Sequence, residues 1–380
     1  MDYKLTPLKF FVFTFLILFI CFIILEGLTR IYLLMRGENN ESVLDALPMV
    51  ISDKNRIFEL KSNYHQEYIS PEFKIIIKTN GDGLRDIEHA VNKSENVYRI
   101  IALGDSFTFG WGINQEDAWW KILENMLNNE DKERKYEIIN LGVWMYTFDQ
   151  QLLRLKDKGL KYKPDLVIQG IYWPHLKTIA THQWVVDNEG NLLSINDPTI
   201  YVNEDNLLKT KDKNILLHSL KKHSKLLNAI ISRLQILLLR HRLISDDLLF
   251  LRGDSVVTHS DTWQKALESI HQTKEILAKK GINYVVFFIP RDVQVSKREW
   301  SPLYLDIMND QLYQDEFPQK IFSNFFLKEK IPYLDLLSVF RKDYSPDLYY
   351  VTDPHWTKEG HRLAGEQIYK FIKLNAVGIK

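Results

Sequence analysis

The chain has 380 residues, 45% hydrophobic and 26% charged. That balance suits a globular protein with a sizeable core: one large domain, or one domain with an insertion and an appendage. Acidic and basic residues balance at 49 each, so no global field recruits nucleic acid. The single cysteine, Cys21, excludes an internal disulfide, and no Cys/His zinc spacing is present.

The N-terminus carries the first strong signal. Phe10–Leu25 is a run of 16 apolar or near-apolar residues without a charge. A helix from Leu8 to Leu28 is long enough to span a bilayer, which takes about 20 residues. Glu26 and Arg30 stand four apart, where they could pair on one helix face. A signal peptide is the competing reading, but no small-x-small cleavage site follows. Residues 1–36 are therefore read as an uncleaved anchor in the plasma membrane, with the C-terminal domain on the extracytoplasmic side. Lys4 and Lys9 before the span nearly tie with Arg30 and Arg36 after it.

Residues 37–96 read as a polar exit followed by an irregular linker and a leading β segment. The apolar run Ile75–Ile77 leads into a turn at Asn80–Gly83. The pattern then alternates. Short runs rich in Ile, Val and Leu at 98–103, 136–140, 164–172, 283–290 and 332–336 predict strands buried on both faces. Helical patterns occupy 117–129, 149–160, 259–281 and 357–373, the third with Ser260 as its cap and Gly281 as its stop. Such alternation implies an α/β fold with a mostly parallel, doubly wound sheet over 97–375. Residues 176–258 interrupt it as a cap-like insertion. Its first part reads as a hairpin around Asn188–Asn191. Its second, 213–243, holds seven Lys or Arg and no acid, and reads as one or two amphipathic helices. These could rest on anionic headgroups; the plainer reading is a cap with a solvated basic face.

Ligands of an open parallel sheet bind beyond the carboxyl ends of its strands. Ser106, in Leu103-Gly104-Asp105-Ser106, stands just past the first strand and before a helical turn. Its hydroxyl and N–H would meet the partial positive charge of a helix start, which favours a developing oxyanion. The plain alternative is a serine that caps a helix. A serine nucleophile needs a base, and Asp353 and His355, in the loop before the last helix, could supply a base with its orienting acid. His361 competes for the role of base, but it lies inside the helical pattern and is better read as packed.

With Asn140–Val143, Asp353–Trp356 and Gly360-His361, the Gly104–Gly112 stretch resembles the SGNH/GDSL hydrolase superfamily. More narrowly, Thr79–His89 followed by Tyr98–Ile113 resembles membrane-anchored bacterial members of it, and the Asp-x-His-Trp form at Asp353–Trp356 resembles the alginate-type polysaccharide O-acetyltransferases. That resemblance implies a three-layer, flavodoxin-like α/β/α sandwich with a mostly parallel five-stranded sheet. It implies a serine esterase or O-acyltransferase with Ser106 as nucleophile, His355 as base and Asp353 as orienting acid. The N–H groups of Ser106 and Gly142 would be oxyanion donors. No cofactor and no metal are implied. The expected partners are an acylated carbohydrate or lipid-linked glycan, the membrane through the N-terminal helix, and polysaccharide-assembly proteins, with no nucleic acid.

The chain departs from the family at one point. Where an Asn side chain normally supplies a third oxyanion donor, it reads Gly170-Ile171-Tyr172-Trp173-Pro174-His175, without an amide. Loss of such a donor costs about 10²–10³ in kcat. Tyr172 and His175 are candidate substitutes; the plainer reading of His175 is a loop residue of no catalytic role. Trp144 and Trp173, in loops at the carboxyl edge, are candidate substrate contacts, whereas Trp119 and Trp120 on their helix read as core. A different class stays open: a catalytically impaired binding or scaffold component of a polysaccharide assembly machinery.

Overall fold

The computed structural model describes residues 7–36, 49–176 apart from 54 and 71, the short segments 184–186, 192–195, 200–202 and 208–210, residue 224, and residues 250–296, 314–350 and 353–375. The chain divides into two units, 1–42 with 212–244, and 43–211 with 245–380. In the first unit, α1 (Pro7–Arg36) contains a 20-residue stretch, Phe10–Thr29, with mean hydropathy 2.7. It is the one helix among the described residues that is long and apolar enough to cross a membrane. Its acid, Glu26, accepts a hydrogen bond from Ser224 Oγ at 2.7 Å. Apart from residue 224, the basic stretch 213–243 lies outside the described residues, as does the turn at Asn188–Asn191.

The second unit opens with more order than the sequence suggested. Strands β1 (Val50–Asp53) and β2 (Ile57–Leu60) pair antiparallel, as do β3 (His65–Ile69) and β4 (Lys74–Lys78). The apolar run at Ile75–Ile77 is the strand expected of the leading β segment, and three further strands precede it. Val50, Ile57, Leu60, Ile75 and Ile77 bury against Phe109, Trp111, Val143, Trp144 and Tyr146. The first hairpin is also tied down by charge. Glu59 receives Arg154 Nη1 and lies 3.3 Å from Arg56 Nη2.

From residue 97 the alternation holds. Strand β5 (Val97–Leu103) leads to the short α2 (Ser106–Phe109), α3 (Trp119–Glu130), β6 (Lys135–Asn140), α4 (Phe148–Arg154) and β7 (Leu166–Ile171). The helix predicted over 149–160 ends at Arg154 and runs on as a π turn and a 3₁₀ turn to Tyr162. Two antiparallel pairs follow in the insertion, β8 (Trp184–Val186) with β9 (Leu192–Ile195), and β10 (Ile200–Val202) with β11 (Leu208–Thr210). The first pair is the predicted hairpin. The chain then forms α5 (Ser260–Lys279), β12 (Asn283–Phe288), α6 (Phe317–Glu329), β13 (Tyr333–Asp335), α7 (Leu337–Lys342) and α8 (Lys358–Leu374). His259, not Ser260, is the N-cap of α5, and its side chain makes no cap hydrogen bond.

The sheet has five parallel strands in the order β13-β12-β7-β5-β6, the flavodoxin-like order with β5 at the centre of the reversal. Successive residues feed opposite layers. Ile100 and Ala102 pack with α3, α7 and α8; Ile101 and Leu103 pack with α4, α5 and α6. Both faces are covered, which explains the continuous apolar runs. Trp119 and Trp120 are fully buried, as their helical pattern predicted; each such side chain contributes roughly 1.5–3 kcal/mol of transfer free energy.

A buried ionic cluster fixes the segment after the Asn80–Gly83 turn to the sheet edge. His89 Nδ1 is 2.9 Å from Glu137 Oε1, and its Nε2 is 3.0 Å from Asp86 Oδ2. Arg99 Nε donates to Glu137 Oε2 at 2.6 Å. Burial disfavours the imidazolium, but the hydrogen bonds and charges of Asp86 and Glu137 outweigh it and carry the His89 pKa up to about 9. A folded pKa above the unfolded one stabilises fully below the unfolded value and is lost as pH rises through the folded value. The urea midpoint of the wild type should therefore exceed that of His89→Gln most clearly below pH 6.5, and the gap should close as pH passes about 9. A gap that widened with pH would mean that His89 is held neutral.

Candidate active site

Ser106 is placed by the way β5 stops. Asp105 caps α2, its Oδ1 accepting the Phe107 N–H at 3.0 Å, and α2 ends after one turn at Gly110, where φ is 88°. Any other residue at Gly110 would have to hold this left-handed conformation, which L-residues disfavour. The hydroxyl of Ser106 is thus held just past the carboxyl end of a central strand.

The other half of the site comes from the far end of the chain. An antiparallel bridge between Tyr349 and Trp356 pinches the segment containing Asp353 and His355, and Tyr350 N–H donates to His355 O at 3.2 Å. Thr357 then caps α8. Within this loop Asp353 Oδ1 accepts the His355 backbone N–H at 2.9 Å and also pairs with the ring Nδ1. The opposite ring nitrogen, Nε2, lies 2.7 Å from Ser106 Oγ. An ionised Asp353 can only accept, so Nδ1 carries the hydrogen and Nε2 faces the serine hydroxyl as an acceptor. The three predicted residues, far apart in sequence, are brought into one chain of hydrogen bonds.

Several neighbours of this chain were not singled out from the sequence for these roles. Trp111 Nε1 donates to Asp353 Oδ2 at 3.1 Å. Asp353 N–H donates to Glu72 Oε2, from the β3–β4 hairpin, at 3.1 Å. The Phe107 ring packs 4.8 Å from the His355 ring. Burial opposes ionisation of Asp353, but the charge of His355, its hydrogen bonds and that of Trp111 outweigh it and hold the carboxyl below its ordinary range. His361 has no part in this. It is fully buried, its Nδ1 accepts the Trp119 N–H at 3.3 Å, and burial pushes its pKa down to about 3. It is a neutral core histidine, as its helical position predicted.

The oxyanion side differs from expectation. The Gly142 N–H donates to Asn140 Oδ1 at 2.8 Å: the side chain folds back over two residues in an Asx-type turn. This donor is therefore engaged by Asn140. By contrast, no described residue accepts the N–H of Ser106. Glycine at 142 has a steric reason. A Cβ there would lie 2.2 Å from Phe109 N and 2.5 Å from Thr108 C, both backbone atoms of α2 that have no free rotation. Gly142→Ala should cost about 3 kcal/mol, at the upper end of overpacking effects, and push α2 out of place. Urea denaturation measures the loss; an unchanged midpoint would show that the two loops do not touch.

The aromatic candidates divide. Trp173 is 0% exposed, packed in the core with its Nε1 donating to Gln294 Oε1 at 2.8 Å. This corrects its reading as a substrate contact: the indole turns inward, not towards the rim. Trp144 retains 9% exposure and packs 6.0 Å from Trp111. Tyr172 packs 4.8 Å from Phe107. His175 is not an unattached loop residue. It is buried, with Nε2 2.7 Å from Asp105 Oδ2. Among the described residues, no cluster of His, Cys, Asp and Glu could hold a metal.

The deciding comparison concerns the half of the site that holds Asp353 and His355. Residues 244–379 match the model of the SGNH hydrolase-like domain of the acetyltransferase AlgX. The matched segment includes Asp353 and His355; Ser106 precedes it. No curated protein matches the chain. Among solved structures the chain is similar to an acetylxylan esterase from Geobacillus stearothermophilus, at 9% identity over 72% of this chain and 94% of that one, TM-score 0.41. It is also similar to the lipase/acylhydrolase from Enterococcus faecalis, at 13% identity over 73% and 96%, TM-score 0.39. A third is the psychrotrophic esterase EstA from Pseudoalteromonas sp., at 13% identity over 74% and 99%, TM-score 0.37.

Proposed function

We propose that the protein performs acyl-ester chemistry, as an esterase or O-acyltransferase, on a cell-envelope or exopolysaccharide carbohydrate. The observation that carries this reading is the hydrogen-bonded line from Ser106 Oγ through the His355 ring to Asp353. In the proposed reaction Nε2 of His355 takes the serine proton as Oγ attacks the acyl carbonyl carbon. Asp353 stabilises the imidazolium that forms. The Ser106 N–H receives the oxyanion; the Gly142 N–H joins it only by leaving Asn140. Collapse of the tetrahedral intermediate breaks the ester C–O bond, and the departing alkoxide takes the proton from His355. The acyl group then passes from Ser106 to water or to a sugar hydroxyl, which His355 deprotonates in turn.

The apolar stretch Phe10–Thr29 supports an anchor that keeps this chemistry at a membrane; the proposal further puts the catalytic domain on the extracytoplasmic side, beside polysaccharide-assembly proteins. The match to an acetyltransferase domain supports a short acyl group. Assays with acetylated oligosaccharides in the presence and absence of a hydroxyl acceptor, with Ser106→Ala as control, test the reading. Acetyl release or transfer that needs Ser106 is expected; identical rates in the control would remove the serine from the chemistry.

A second reading is favoured by the oxyanion side. The amide of the third donor is missing, and the Gly142 N–H is occupied. A scaffold that retains the fold and binds glycans without turning them over would show neither release nor transfer.

A further inference from the structure

Strands β5 and β7 are neighbours, with Leu103 opposite Gln169, so the loops leaving their carboxyl ends run side by side. One carries Asp105 and Ser106, the other His175. Asp105 is 0% exposed. One of its carboxylate oxygens accepts the Phe107 N–H at 3.0 Å, and the other lies 2.7 Å from His175 Nε2. Phe107 in turn packs on both Tyr172 and His355, each at 4.8 Å. His175 itself packs edge-on against Tyr172 and Phe148.

We infer that His175 is a positioning residue for the nucleophile: by holding the buried Asp105 carboxylate in place, it fixes the turn that carries Ser106 and Phe107. This inference rests on the reading of Ser106 as nucleophile. Asp105 must stay buried and oriented for its other oxygen to cap α2. His175 is the one side chain among the described residues that hydrogen-bonds its Oδ2. A buried carboxylate left without its partner is strongly destabilised. It regains a partner by turning away from Phe107 N–H, which frees the first turn of α2. Misplacement of a reacting group by about 1 Å can cost about 10²-fold in rate. His175 thereby acts on the nucleophile's turn through Asp105, not on the substrate.

The test uses the full chain and p-nitrophenyl acetate, with the Ser106→Ala rate subtracted. His175→Phe keeps a ring and removes both nitrogens. His175→Gln keeps an N–H that can reach Asp105. His175→Phe is expected to lower kcat about 30-fold or more with KM within about twofold, and His175→Gln to stay within about fivefold of wild type. Should His175→Phe fail to fold, His175→Asn, whose side chain is too short to reach Asp105 Oδ2, removes the same hydrogen bond and is read by the same kcat loss at constant KM. A His175→Phe kcat within about threefold of wild type, or a His175→Gln enzyme as slow as His175→Phe, would overturn the inference while leaving Ser106 as nucleophile. A wild-type protein with no turnover above Ser106→Ala would overturn both.

Discussion

Replacement of Ser106 by alanine is expected to lower kcat towards p-nitrophenyl acetate by about 10⁴-fold or more while leaving the fold intact. The hydroxyl is buried just past β5, and its described hydrogen bond is the one to His355 Nε2. Its removal therefore deletes the proposed nucleophile without opening a large cavity or stranding a charge. The cap of α2 is made by Asp105, not by Ser106, so the local helix should persist. Far-ultraviolet circular dichroism and the thermal midpoint check the second half of this expectation, steady-state kinetics the first. A thermal midpoint lowered as far as that of Gly142→Ala would mean that Ser106 is a structural cap.

The second large effect is expected at Asp353. Asp353→Asn keeps shape and size but offers an amide that can donate to Nδ1. The imidazole then carries its hydrogen on Nε2, facing Ser106, and can no longer take the serine proton. A comparable substitution in a serine-protease triad costs about 10⁴ in kcat, and a loss of that order is expected here, with KM little changed. The wild-type pH profile should agree. The charge and hydrogen bonds of His355, with the Trp111 hydrogen bond, hold the Asp353 carboxyl below its ordinary value of 3.8 against the effect of burial. A folded pKa below the unfolded one stabilises the protein above the unfolded value and is lost as pH falls through the folded value. Asp353 should thus remain ionised through neutral and mildly acidic conditions, and its protonation should limit the rate and weaken the fold only below pH 3.8. Kinetics of Asp353→Asn across pH test this. Full activity in the variant would show that the imidazole needs no orienting carboxylate.

The parts of the fold legible in the sequence were those whose physics is local. The β5, β6, β7 and β12 strands are buried on both faces, so their apolar runs needed no partner to be recognised. The β1–β4 hairpins were harder to see. His65–Ile69 is mostly exposed, and Val50–Asp53 and Ile57–Leu60 are only four residues each. Their apolar positions acquire meaning only against Trp111, Trp144 and Tyr146. The same division runs through the site. Ser106, Asp353 and His355 could be chosen because each sits in a short stretch whose chemistry is self-evident. The pairing of Asp105 with His175 could not, because it joins residues 70 apart in sequence through two strands that lie next to each other. Trp173 was misassigned because a position just past a strand does not say which way an indole points. Gly142 was read through its N–H, while the structure shows that the room it leaves for α2 is its clearer requirement.

The central claim is that Ser106 is a nucleophile activated by His355. The most direct measurement is reaction of the folded protein with a fluorophosphonate, followed by mass spectrometry of its peptides. The account predicts a single stoichiometric adduct on Ser106, absent in Ser106→Ala and strongly slowed in His355→Ala. A folded wild-type protein that stays unlabelled, or labels equally fast without His355, would contradict it.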